Sequence, residues 1–192
     1  MRQLFRDEQR KITNLILNES LTSAAAVYRT IFESQAPLIR FLHGLSIPVP
    51  RALLSAAEIA LNYQLQQSFE RPDLDADNIR GLLREAAASS IALDTTTLEY
   101  AIRRRIEKEA EQFAANPEDP TTVERLRTSL DLIPSIPFPI VIWEAQNISY
   151  SPLIKALEQS GPAGSSEKQF ENLAHLAEQL KIRVPQTALQ AA

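Results

Sequence analysis

The sequence predicts an all-α protein of repeated helical hairpins, with a period of about 45 residues, packed as a bundle or a short α-solenoid. Glycine occurs only four times in 192 residues. Apolar residues recur three or four positions apart, which is the helical period rather than the alternation of strands. Similar short segments also recur along the chain, and this recurrence indicates a repeat.

Three stretches carry the helical period most clearly. In each stretch the apolar side chains share one face, so each helix should pack against its neighbours. The three sets are Leu98, Ile102, Ile106, Ala110 and Phe113; Val123, Leu126 and Leu130; and Phe170, Leu173, Ala177 and Leu180.

Four short segments punctuate the chain at 47–50, 91–94, 136–139 and 182–185. All begin with isoleucine, and these isoleucines are 44, 45 and 46 positions apart. Each segment follows an amphipathic stretch and ends in Pro or Asp. Proline suits the first helical position and aspartate suits an N-cap, so each segment is expected to be an extended connector between two helices.

The expected helices follow from these connectors. Residues 1–158 form a helical domain of stacked pairs, 159–166 a linker rich in Gly and Ser, and 167–192 a C-terminal helix and tail. A long first helix should end near Pro37, because proline disfavours a helical residue before it. Its predicted span is 3–33, and the predicted pairs are 36–46 with 50–70, 76–90 with 94–115, and 120–133 with 139–158.

Composition and charge exclude several classes of function. The net charge of −4 and the pI near 5.3 argue against nucleic acid as a partner, because binding phosphates requires a concentrated positive surface. The chain has no cysteine, so disulfides and thiolate chemistry are excluded, as suits a reducing compartment. Apolar residues make up 44% of the chain, which is typical of a folded domain.

No membrane segment or targeting peptide is expected. The longest apolar stretch, 136–143, contains two prolines and is far shorter than the roughly 20 residues that span a bilayer. The first eight residues mix acids with bases and lack an apolar core. We therefore expect a cytoplasmic protein.

The sequence gives little support for a catalytic site. The two histidines, His43 and His175, lie far apart without carboxylates at metal-ligand spacing, so neither a metal nor another cofactor is expected. Each is more simply a surface or half-buried histidine. No nucleophile elbow and no phosphate-binding glycine loop is present. No catalytic residue is predicted.

The run Arg103-Arg104-Arg105, with Lys108, is the one basic cluster that could hold an anionic ligand. Four glutamates within reach on the same helix can neutralise it through intrahelical pairs. Such alternating charge usually marks a solvated helix face, and we prefer that interpretation. The glutamates are Glu99, Glu107, Glu109 and Glu111.

Trp143, Gln146 and Asn147 are candidate substrate contacts. On a helix Trp143 shares a face with both amides, and an aromatic ring beside an amide suits a sugar. The alternative is a buried tryptophan whose neighbouring amides bond to backbone, and this is the commoner arrangement.

The ordered blocks LFRDEQR at 4–10, PLIRFL at 37–42, the stretch 50–62 and WEAQN at 143–147 resemble a known family. They are similar to the C-terminal helical domain of unknown function found in glycoside hydrolase family 57-like proteins, of the α-amylase or α-mannosidase-like type. The resemblance covers residues 4–158. It implies a retaining mechanism with two carboxylates that lie on an N-terminal β/α barrel, not on this chain.

The resemblance therefore implies a non-catalytic accessory domain. Its expected partners are the catalytic barrel of the parent protein and a poly- or oligosaccharide whose cleft it helps form. Pro152 interrupts the run after Gln146 and Asn147, where a smoother helix is expected. The alternative function, which the 45-residue period favours, is a helical-repeat scaffold for protein–protein interaction.

Overall fold

A computed structural model describes residues 2–160 and 167–183 of the chain. Within these residues the chain forms seven α-helices, one short 3-10 helix at Ile133–Ser135, and no strand, so the all-α prediction is confirmed. The α-helices are α1 (Arg2–Gly44), α2 (Arg51–Glu70), α3 (Ala76–Ala88), α4 (Thr95–Ala115), α5 (Pro120–Leu130), α6 (Trp143–Ser160) and α7 (Glu167–Gln179).

The contacts divide the chain into two units. Unit 1 contains residues 1–65 and 84–93, and unit 2 contains 66–83 and 94–192. The helices α2 and α3 therefore each contribute residues to both units. The predicted division at 159–166 stays a prediction, since 161–166 lie outside the described residues, as does the predicted tail from 184 onwards.

The core of unit 2 is built by four helices. The α4 helix packs against α5 and α6, and α7 also packs against α5 and α6, so the four contacts form a closed cycle. Within unit 2 this arrangement is the bundle alternative of the prediction. The amphipathic stripe of α4 faces this core, and Ile102, Ile106, Ala110 and Phe113 are completely buried.

The core of unit 1 takes apolar residues from α1, α2 and the connector after α3. Phe32 and Ile39 of α1 and Leu61 of α2 are buried, as is Ile91 after α3. Two polar contacts add to this packing. The hydroxyls of Thr22 and Tyr63 lie 2.8 Å apart, and the Asn62 amide donates to the Ala92 carbonyl at 3.0 Å.

The predicted end of the first helix near Pro37 is wrong, because α1 continues through Pro37 to Gly44. Phe32, Ala36 and Ile39 are buried on one face across the proline. Their burial outweighs the roughly 3 kcal/mol that a proline costs inside a helix. Pro37 itself is exposed, as is Glu33, whose carbonyl loses its helical donor and can bond to water instead.

The predicted start of α6 at residue 139 is also wrong, because α6 begins at Trp143. The intervening Ile140, Val141 and Ile142 are all β-branched and favour extended backbone. Pro139 is therefore not the first helical residue of α6. Pro152 does not break α6, which runs continuously to Ser160.

The separate helix predicted at 36–46 is wrong as well, because these residues continue α1 as far as Gly44. The predicted helices at 50–70, 76–90, 94–115 and 120–133 agree with α2, α3, α4 and α5 to within a few residues. Asp94 caps α4 as predicted, since its side chain accepts a hydrogen bond from the Thr97 backbone amide. A hydrogen bond from the Thr97 hydroxyl, and secondly this backbone bond, hold the pKa of Asp94 below its ordinary value. Pro50 lies one residue before α2 rather than at its first position.

Three of the four connectors begin with the same backbone turn. The residue before the isoleucine is left-handed in each case: Ser46 with φ 55°, Ser90 with φ 51° and Lys181 with φ 55°. The Ile91 amide donates to the Ala86 carbonyl at 2.9 Å and the Ser90 amide to Ala87 at 3.2 Å. This is a Schellman cap, which glycine usually supplies.

Equivalent bonds close the other two caps, from Ile47 to Leu42 and from Ile182 to Ala177. Ile136 differs, because its amide donates to Ile133 at the end of the 3-10 helix. The sequence period thus coincides with a recurring helix end at three of its four positions. A solenoid built on that period stays a prediction.

The left-handed cap generates a stability prediction. Ser46→Gly should raise the free energy of unfolding by up to about 1 kcal/mol, because a left-handed backbone costs an L-residue roughly 1–2 kcal/mol, of which glycine's entropy cancels part. Urea denaturation measures the change. Ala26→Gly, at an exposed interior position of α1, is the control and should lower stability by about 0.5–1 kcal/mol. If both substitutions lowered the free energy of unfolding equally, the left-handed backbone at Ser46 would not be strained.

Candidate functional site

The exposed face of α6 begins at its first residue. Trp143 has 60% of its surface exposed, so the prediction of a buried tryptophan is wrong. Asn147 follows one turn later, on the face that the helical spacing predicted, and it is also exposed. The Trp143 ring and the Asn147 amide therefore lie on one accessible side of unit 2.

Gln146 behaves differently from its two neighbours. Its amide Nε2 donates to the Leu180 carbonyl at 2.8 Å, immediately after α7 ends. The last carbonyls of a helix have no partner within the helix, so this bond fixes the end of α7 to α6. For Gln146 the alternative of an amide bonded to backbone is therefore correct, and the structure separates Gln146 from Trp143 and Asn147.

Sequence reasoning missed Tyr150, which extends this face. Tyr150 is 51% exposed and lies three residues after Asn147 and seven after Trp143. Seven residues of helix span about 10 Å, so two aromatic rings flank one amide along the helix. The same helical spacing that paired Trp143 with Asn147 would have found Tyr150. The name α6 face is used below for Trp143, Asn147 and Tyr150.

The basic run on α4 is largely neutralised, as predicted. Arg103 pairs with Glu99 at 3.1 Å and with Glu107 at 2.9 Å, and Arg104 pairs with Glu107 at 2.9 Å. Burial works against the charge of Glu107. Hydrogen bonds from Arg104 and Arg103 nevertheless hold its pKa below the ordinary value.

The prediction of a solvated face is wrong for Arg105 and Glu109. Their side chains are only 9% and 7% exposed, and Arg105 Nε lies 2.8 Å from Glu109 Oε1. The Arg105 guanidinium also donates to carbonyls at the C-terminal end of α2 and just after it: to Phe69 and Pro72, each at 3.1 Å, and to Arg71. It donates to the Ser129 hydroxyl at 3.2 Å. Arg105 is therefore a structural clamp that joins α4 to the end of α2 and to α5.

Glu109 remains incompletely satisfied beside this clamp. Burial raises its pKa above the ordinary value, although the Ser129 hydroxyl and the Arg105 charge oppose the shift. Its second oxygen, Oε2, is buried without a hydrogen-bond partner among the described residues. A buried carboxylate oxygen without a hydrogen-bond partner is costly, so the Arg105 ion pair is needed to offset the burial of Glu109.

The histidines build no metal site. His43 is exposed and its Nε2 lies 3.2 Å from the Ser90 hydroxyl, while His175 is exposed on α7. Across residues 2–160 and 167–183, no three side chains of the metal-ligating types converge.

Comparison with protein-family models, curated proteins and solved structures finds no match to this chain. None of the described helices combines the length and the apolar character that crossing a membrane requires. The properties of the side chains themselves therefore carry the functional argument.

The Arg105 clamp generates a second prediction. Arg105→Met should lower the free energy of unfolding of unit 2 by about 3–5 kcal/mol, because it leaves Glu109 buried without its cation. Thermal and urea denaturation followed by circular dichroism measure the loss. The double variant Arg105→Met, Glu109→Met should recover part of it, since no buried charge remains.

Arg104→Met is the matched control, because the Arg104 side chain is 57% exposed. An exposed pair is worth about 0–1 kcal/mol, so this variant should change stability little. Equal losses for Arg104→Met and Arg105→Met would contradict the clamp.

Proposed function

We propose that this chain is a non-catalytic accessory helical domain of a glycoside hydrolase family 57-like protein, which packs on a catalytic barrel carried by another polypeptide segment. The observation that supports the proposal is an apolar surface of α1, between residues 12 and 21, that the described residues leave uncovered. The ordered resemblance of residues 4–158 supplies the identity of the partner. The α6 face then supplies a contact for a poly- or oligosaccharide.

Residues 8–24 of α1 expose their apolar side chains to solvent. Every described side chain between residues 8 and 24 is exposed, and the first buried one is Ala25. The large apolar residues of this segment are 53% to 68% exposed: Ile12, Leu15, Ile16, Leu17 and Leu21. These five residues are called the α1 apolar surface below.

Contiguous apolar surface of this kind marks interaction sites in folded proteins. Burying one Leu or Ile side chain contributes roughly 1.5–3 kcal/mol, so covering five would contribute on the order of 10 kcal/mol. A helix segment that packs against nothing is also only marginally stable in water. Both considerations favour a helix that is covered by a partner when the protein functions.

The α6 face supports the saccharide part of the proposal. Aromatic rings present apolar faces on which sugar rings can stack, while an amide both donates to and accepts from hydroxyls. Trp143, Asn147 and Tyr150 present both chemistries on one exposed side.

A second candidate function is a helical-repeat scaffold that binds another protein. The specific observation in its favour is the recurrence of the left-handed cap at Ser46, Ser90 and Lys181. A scaffold would use the α1 apolar surface for a protein unrelated to a barrel. The first candidate function has a catalytic barrel as its partner and the second has another protein. The docking experiment distinguishes the two.

We expect the reading frame upstream of the codon for Met1 to encode a β/α barrel with two facing carboxylates. When that barrel is produced separately, it should bind this chain in analytical ultracentrifugation. Leu15→Asp with Leu17→Asp should weaken binding at least about tenfold, since each leucine contributes more than the 1.4 kcal/mol of one decade. Val141→Asp is the control. Val141 is 52% exposed but lies outside the α1 apolar surface, so this substitution should leave binding unchanged.

Other results would overturn the docking proposal. The docking proposal would be contradicted if the upstream reading frame encoded no barrel. It would also be contradicted if the barrel bound the doubly substituted chain as tightly as the unmodified chain. The chain alone could instead form a dimer that Leu15→Asp with Leu17→Asp converts to a monomer. In that case the α1 apolar surface would bind a second copy of this chain. Binding of an unrelated protein there would favour the scaffold.

The saccharide prediction uses the single tryptophan. Millimolar malto- or manno-oligosaccharide should change the fluorescence of Trp143, and Asn147→Ala and Tyr150→Ala should each weaken that response several-fold. Tyr100→Ala is the control, because Tyr100 is 57% exposed but lies on α4. Unchanged fluorescence with both saccharides would remove this part of the proposal.

A further inference from the structure

A second candidate site lies in unit 2, away from the α6 face. A cavity of about 580 Å³ opens between the end of α2, the segment after it, α4 and α5. This volume falls within the range of small-molecule sites, roughly 300–1,000 Å³. The buried Phe69, Ala101 and Glu109 line it together with Arg105, and exposed residues surround them.

The lining of the cavity is strongly basic. The lining contains five cationic side chains and three carboxylates, although the whole chain carries a net charge of −4. The cavity therefore concentrates positive charge on an acidic protein. The cations are Arg71, Arg104, Arg105, Lys108 and Arg125, and the carboxylates are Glu70, Glu109 and Glu111.

Three of these cations are uncommitted to any salt bridge or side-chain hydrogen bond among the described residues, although the charge of Arg125 also acts to lower the pKa of Glu109. Arg104 and Arg105 bind glutamates on their own helix. The side chains of Arg71, Lys108 and Arg125 are exposed and make no hydrogen bond or ion pair within the part of the chain that the structure describes. They come from three different segments, so no single helix pattern produces their convergence.

Glu109 is the buried carboxylate of the cavity lining, with only 7% of its side chain exposed. It pairs with Arg105 at 2.8 Å, so this pair adds no net charge to the cavity. The excess of positive charge therefore comes from the other cations of the lining.

We propose that this cavity binds the dianion of a small organic phosphomonoester, held by Arg71, Lys108 and Arg125 above the Arg105–Glu109 pair. The excess of two positive charges in the lining matches a dianion. Guanidinium groups bind phosphate oxygens in bidentate geometry, and an ammonium adds a compact charge. The Tyr100 ring at the edge offers an apolar surface to the organic part.

The shape of the site favours a small molecule over a nucleic acid. Binding a polymer of phosphates requires cations along an extended stripe, and its affinity falls steeply with salt. Here the uncommitted cations converge on one cavity. This inference is independent of the accessory-domain proposal, because that proposal rests on the α1 apolar surface and the α6 face, neither of which lines this cavity.

Isothermal titration calorimetry of the full chain tests the proposal, with phenyl phosphate, glucose 6-phosphate and inorganic phosphate as probes. One of the two esters should bind at one site, more tightly than inorganic phosphate. Lys108→Gln with Arg125→Gln should weaken binding at least about tenfold, which corresponds to losing roughly 1.4 kcal/mol. Both side chains are exposed, so the variant should retain its circular dichroism spectrum and its melting temperature.

Lys155→Gln with Arg51→Gln removes the same charge at exposed positions that do not line the cavity. This control should bind the esters as the unmodified chain does. Three results would overturn the proposal: no ester binding at millimolar concentration, equal weakening in the control, or a preference for citrate or single-stranded RNA over both esters.

Discussion

The fold of unit 2 depends on how α4 buries charge beside its apolar stripe. The Arg105 side chain is only 9% exposed, and its donors bond to backbone carbonyls at and after the end of α2, to a hydroxyl on α5 and to a carboxylate on its own helix. A buried guanidinium is tolerable only when such partners are present. One side chain thereby sets the position of three segments, and the fully buried Ile102 and Ile106 add the apolar contacts that hold them together.

The sequence predicted the helices where apolar periodicity was strong, as in α4, and where a capping residue marked the start, as at Asp94. It failed where tertiary packing overrode a local signal. Pro37 indicated a helix end, but the burial of Phe32 and Ile39 on either side of it was decisive. Periodicity also could not reveal which charges of α4 are buried, because Arg105 is satisfied by carbonyls about 35 residues away along the chain.

The candidate sites were predictable to a similar extent. Helical spacing placed Trp143 beside Asn147 but did not decide whether that face was covered, because exposure depends on what packs nearby. Gln146 was separated from the pair by the Leu180 carbonyl, whose position no local pattern encodes. The cavity between α4 and the end of α2 was not foreseeable, since Arg71 and Arg125 meet Lys108 only through the tertiary fold.

In both proposals the chain acts by binding a partner or a ligand. The buried polar groups of α4 position segments, while the α1 apolar surface and the α6 face present side chains that the described structure leaves uncovered. Hydrogen exchange of the monomeric chain, read by mass spectrometry, tests this division most directly. Residues 98–113 should exchange only through unfolding of unit 2, and residues 8–24 should exchange orders of magnitude faster. Equal protection of both segments would show that α1 is already covered, and would contradict the account.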